Sequence, residues 1–203
     1  MTLFMSKLMS GIMELLIVSV IPFITWLIWS RKKVGFFDWI GLKKVESQQK
    51  RRLLLTILGI SLLFLLFSIV VFAWFDSSKT TTAAFSGKGI GALPAILAYA
   101  ILGTALPEEI FFRGFLLKRL QGKLGCLGAN LVQSLVFGLL HALMFIQLTG
   151  YLKAFAILVF ISLIAYVLGA INEKKANGSI LPSVFIHALA NTIVGLLFAF
   201  SLI

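Results

Sequence analysis

Seven acidic residues and two histidines are all that 203 residues offer for acid–base chemistry, so the place of each one carries information. Cysteine is rarer still. Cys126 stands alone, which excludes an internal disulfide and leaves the redox compartment unmarked. No H-E-x-x-H sequence occurs, so the helical zinc-peptidase signature is absent. Nor is there an internal repeat of the kind that builds many transporters, a low-complexity tract, or a polar stretch long enough to fold alone. A proton-coupled transporter that uses its glutamates as a relay is disfavoured for that reason.

What the chain has in excess is apolar surface. It is 60% hydrophobic with a mean hydropathy of +1.07, against roughly 45–50% apolar residues in soluble domains. Stretches 53–75, 89–107, 124–147, 154–171 and 180–203 contain no Asp, Glu, Lys or Arg, and each is near the roughly 20 residues that cross a bilayer as a helix. A sixth, 8–29, holds one acid, Glu14. The expected fold is an all-α integral membrane protein, a bundle of about six transmembrane helices forming a single domain over 1–203. The 8–29 segment is too long for a signal-peptide core, lacks a small-residue cleavage site and precedes its basic cluster, so it reads as a retained helix.

The positive charge is a topology signal, and no nucleic-acid partner is expected. Of the 18 Lys and Arg residues, fourteen fall in three regions, 30–52, 113–123 and 172–179, which six alternating spans place on one face. Lys7, Lys79, Lys88 and Lys153 remain for the other. The bias predicts cytoplasmic basic loops with both termini outside, and such loops also suit anionic lipid headgroups. Asp76–Lys88 is read as an outer loop, where Ser77, Ser78 and a threonine run break the apolar pattern.

Ionisable groups at membrane depth cost on the order of 2.5–3.5 kcal/mol each on the insertion scale, so each requires a reason. Four stand out: Glu108, Glu109, His141 and His187. Glu109 and Arg113 are i,i+4 neighbours that can pair, while Glu108 points about 100° away and is free to meet another helix. Pro107 lacks a backbone donor and is expected to kink or restart the helix beside both carboxylates. Ser134, Phe137, Gly138 and His141 share one helical stripe, as do Ser183, His187, Asn191 and Gly195. Taken singly, each histidine is equally well read as a hydrogen-bonding group in helix packing.

Together and in this order, the motifs resemble the CAAX-processing and bacteriocin-processing (CPBP, formerly Abi) intramembrane protease family. Its pattern E-E-x-x-x-R, F-x-x-x-H, H-x-x-x-N is matched by Glu108, Glu109 and Arg113, by Phe137 and His141, and by His187 and Asn191. The motif-bearing core spans 90–203, and the first two helices carry no family signature.

The resemblance implies an intramembrane endopeptidase cleaving a membrane-embedded or membrane-proximal peptide. Glu108 and His141 would activate water, His187 and Asn191 would stabilise the oxyanion, and Glu109 with Arg113, beside Phe137, would support Glu108. Glutamate chemistry without a cofactor is favoured; the alternative is a zinc site of Glu108, His141 and His187. Bacterial relatives are linked to bacteriocin maturation, self-immunity and peptide signalling, and the short loops suggest a bacterial plasma membrane. The competing function is a non-proteolytic membrane regulator or scaffold binding a sensor kinase or transporter. Counting about 1.5 Å per residue, His187 is expected about 10 Å below the basic face, Glu108 about 15 Å if its helix runs on to Lys118 and His141 about 20 Å or more, so convergence calls for helix tilt or a later start of the fourth helix near Ala129.

Overall fold

Inside hydrocarbon every backbone N–H and C=O needs an internal partner, so uncharged runs of this length become helices. The computed structural model describes residues 1–72 and 80–203, and every regular element among them is helical. α1 (Leu3–Trp29) is capped by Thr2, whose Oγ1 accepts from the Met5 N–H at 3.3 Å. The one-turn α2 (Phe36–Trp39) and the long α3 (Lys50–Phe72) follow. Ser77, Ser78 and Lys79 of the expected outer loop lie outside the described residues.

Two short 3₁₀ turns, Thr81–Phe85 and Gly89–Ala92, lead into α4 (Leu93–Leu97). Wider π-type turns, Ala98–Ala105 and Ile110–Leu117, flank α5 (Leu106–Glu109). The chain ends with α6 (Lys118–Thr149), α7 (Tyr151–Lys175) and α8 (Leu181–Ala199). Pro107 therefore does not restart a helix. The path stays helical through it, and the widened turns on either side accommodate its ring and missing donor.

Taken as one helical stretch, Gly89–Thr149 would be 61 residues, which at about 1.5 Å each is roughly three times the hydrocarbon thickness. Gly125 resolves this. Its φ of 67° and ψ of 170° are non-helical, and they fold the stretch into two crossings. Five segments are long and apolar enough to span a membrane, and dividing the longest at Gly125 makes six. The outside of the bundle is apolar, with Leu16, Ile17, Leu55 and Leu63 exposed, while Glu109, Arg113, Asn130, Gln133, Asn172 and His187 are buried. That inversion would be untenable in water and is what a lipid solvent permits. The protein is an integral membrane protein.

The three basic regions meet at one end of the bundle. Lys118 Nζ donates to Glu173 Oε1 and to the Gly178 carbonyl, both at 2.8 Å. Ile180 N–H donates to Gly41 O at 2.9 Å, and Ser179 Oγ to Lys43 O at 2.7 Å. Arg119 donates to Trp39 O at 3.2 Å with its guanidinium over the Trp39 ring. Arg113, grouped with this face by sequence, belongs elsewhere: it is buried within the bundle and ion-paired to Glu109.

Helices in lipid gain little from burying apolar surface against each other, so close contact and hydrogen bonds join them. On α6, Asn130 Nδ2 donates to Tyr166 O of α7 at 2.8 Å, and Gln133 Nε2 to Ala165 O at 3.2 Å. Gly138 lets the two backbones touch. A Cβ there would lie 2.6 Å from Leu158 O and 3.0 Å from Ser162 N, atoms that cannot yield without parting the helices. Gly138→Ala should therefore cost about 1–3 kcal/mol. A lowered unfolding midpoint in detergent is the expected result; an unchanged one would mean that the α6–α7 contact is not close.

Candidate active site

The register of the helices, set by the basic end and by Gly125, brings the motifs to one depth. Nine residues separate Lys118 from Glu109, and nine separate its partner Gly178 from His187. Glu109 and His187 accordingly meet, Oε1 to Nδ1 at 3.2 Å. Likewise, twelve residues separate Gly125 from Arg113 on one side and from Phe137 on the other. The Arg113 guanidinium lies over the Phe137 ring, 4.5 Å from its centre. By the same count Glu108 and His141 are nearly level. The expectation that Glu108 sits shallower than His141 is corrected, because the helical path carrying Glu108 runs on past Lys118 to Gly125.

Glu109 has no solvent exposure and serves two partners, Arg113 Nη1 at 3.0 Å and His187 Nδ1. A carboxylate can only accept here, so Nδ1 carries the proton and His187 turns Nε2 outward. That Nε2 lies 3.9 Å from Glu108 Oε2. On α6, His141 Nδ1 lies 2.9 Å from the Phe137 carbonyl, which can only accept, so a neutral His141 leaves an unprotonated Nε2. The Phe137 ring packs on His141 at 4.3 Å and edge-on to Phe112 at 4.8 Å, holding both motif helices against each other.

Asn191, one turn beyond His187 on α8, donates from Nδ2 to Thr104 Oγ1 at 2.8 Å, and Thr104 donates to Ala100 O at 2.9 Å. Glu108, His141, His187 and Asn191 all line one cavity of about 410 Å³. Glu109 and Arg113, expected as a supporting pair, do not line this cavity and lie buried behind it.

Residues 89–193 match the family model described as type II CAAX prenyl endopeptidase Rce1-like. The chain belongs to this family. No curated protein and no solved structure matches it. Membership in a CAAX protease family supports peptidase activity in general.

Three features of the Rce1-like site lay beyond the sequence reading. The His187–Glu109 bond joins two motifs that had been assigned separate duties. Thr104 fixes Asn191, and its only signal was a place four residues before Glu108. Glu14 of α1 and Phe64 of α3 also face the cavity, so helices outside the matched segment complete its wall. The lone acid in an otherwise apolar span was the clue to Glu14. As for zinc, no three His, Cys, Asp or Glu side chains among the described residues converge as a ligand set. Glu108, His141 and His187 share the cavity without closing on one point.

The Glu109–Arg113 pair can be measured by coupling. Glu109→Gln and Arg113→Ala each leave a buried partner without its counter-charge, a loss of about 3–5 kcal/mol for a buried pair. The double variant should be less destabilised than the sum of the two, and a purely additive result in unfolding would deny the pairing.

Proposed function

We propose that this Rce1-like protein is an intramembrane endopeptidase that hydrolyses a membrane-associated peptide with water activated by Glu108 and His141. The observation that carries the proposal is the convergence of four polar side chains from three separate helical stretches on one cavity, with Nδ1 of both histidines already engaged.

The division of labour follows from the hydrogen bonds. Water between the Glu108 carboxylate and His141 Nε2 meets two acceptors, so it is held and polarised for attack on a peptide carbonyl carbon. Glu108 takes the proton as the C–O bond forms and returns it to the leaving amine as the C–N bond breaks. Asn191 keeps a second Nδ2 hydrogen for the oxyanion, and the bond to Thr104 fixes its direction. His187 can donate from Nε2 only as an imidazolium, since Nδ1 already donates to Glu109, and the Glu109 carboxylate balances that charge. Arg113 in turn holds Glu109 in place.

The family model is described as a CAAX prenyl endopeptidase, so the proposed substrates are prenylated CAAX peptides and, by extension, hydrophobic bacterial peptide precursors. Purified protein in liposomes should cleave a farnesylated CAAX peptide or an unprenylated apolar peptide. Glu108→Gln keeps volume while removing the proton acceptor, and turnover should fall about 10²–10⁴-fold with folding unchanged. Asn191→Ala should lose about 10²–10³-fold. Full biological activity in the Glu108→Gln protein would favour a binding regulator, and chelator inhibition reversed by zinc would favour a metal mechanism.

The excess of Lys and Arg at the end built from the 30–52, 118–123 and 172–179 regions supports a cytoplasmic position for that end, with both termini outside and the bacterial plasma membrane as the setting. In a Cys126→Ser background, Gln48→Cys should resist an impermeant thiol reagent in intact cells while Ser86→Cys reacts. The reverse pattern would invert the topology.

A further inference from the structure

A second cavity, of about 980 Å³, opens at the basic end between residues 44–53 and 173–177 and shares no lining residue with the cavity of the motifs. Its walls carry five cations, Lys44, Lys50, Arg52, Lys174 and Lys175, against two acids, Glu46 and Glu173. Both acids are engaged by their neighbours. Glu173 accepts from Lys118 and Gln121, each at 2.8 Å, and Glu46 from Asn177 at 2.9 Å. The side chains of the four lysines, by contrast, make no hydrogen bond or ion pair among the described residues. Like charges gathered around one space repel, and an anion placed there relieves all of them at once.

The backbone adds a second, independent attraction. α3 begins at Lys50, and Gln49, Lys50, Arg52 and Leu53 all line the cleft, so the N-terminus of a 23-residue helix opens into it. The first-turn N–H groups have no partner within the helix and carry its positive dipole end, an arrangement suited to phosphate oxygens. Depth narrows the source. Leu54 and Leu55, immediately beyond, are exposed and begin the apolar outer face of α3, so the cleft sits at the level where hydrocarbon gives way to headgroups.

We propose that this cleft is a binding site for a phosphate-bearing anion, which at this depth is the headgroup of an acidic phospholipid. The probes are short-chain phosphatidylglycerol, short-chain phosphatidylcholine and inorganic phosphate, titrated into detergent-solubilised protein with the unfolding midpoint as readout. Phosphatidylglycerol should raise the midpoint and phosphatidylcholine should not. The combined Lys50→Gln, Lys174→Gln, Lys175→Gln variant should bind about a hundredfold more weakly, at roughly 1 kcal/mol per basic residue. A control with Arg31, Lys32 and Lys33 all changed to Gln, outside the cleft, should bind as the parent does. Should the first variant unfold early, Lys174→Gln with Lys175→Gln alone is expected to lose about thirtyfold. An equal rise with inorganic phosphate would keep the site and make its ligand a soluble phosphate. Equal losses in the cleft and control variants, or stabilisation by phosphatidylcholine as strong as by phosphatidylglycerol, would overturn the site in favour of diffuse attraction.

Discussion

Glu109 is completely buried in a bundle whose surroundings are hydrocarbon, and a lone carboxylate there is unsupportable. Arg113, one turn along, supplies the counter-charge, and His187 from α8 supplies the second donor. From that arrangement much of the site follows. α8 is held at the height of α5, and the neighbouring Glu108, rotated about 100° round the helix, is left on the cavity wall. Arg113 in turn lies over Phe137, which packs on His141 and lends it a carbonyl. Balancing charge within the interior and bringing the motif side chains to one cavity are thus one structural act.

The rest of the bundle obeys the same constraint. With leucines facing lipid, burying more leucine between helices would gain little, and the contacts that hold them are polar or small. Asn130 and Gln133 bridge α6 to α7, Asn172 of α7 bonds Ser183 of α8 at 2.7 Å, and Gly138 admits the α7 backbone. These groups also explain how the interior can tolerate the buried motif residues: hydrogen-bonded polar side chains already furnish it.

The cavity is not made by the family-matched segment alone. Phe64 of α3 packs against the His187 ring at 5.7 Å, and Lys7, Ser10 and Glu14 of α1 face the same space. The segment 89–193 holds the motif residues from Glu108 to Asn191, whereas these first helices supply part of the cavity wall beside them. Lys7 Nζ, near the Phe85 and Tyr99 rings, sets a positive charge on the wall opposite in character to Glu14.

The helices, their outward faces and the motif positions were legible in the sequence, because hydrophobic length and i,i+4 spacing are local properties that need no partner to be read. The Glu109–Arg113 pair was legible for the same reason. What the residues could not state was depth. Whether the path through Glu108 stops near Lys118 or continues to Gly125 depends on one backbone conformation, and that choice levels Glu108 with His141. The bonds of Glu109 to His187 and of Asn191 to Thr104 span 78 and 87 residues. The sequence by itself determined a membrane bundle and the chemistry available within it; only the tertiary structure decided which groups meet, since hydrogen-bond partners are chosen by the relative height and rotation of whole helices.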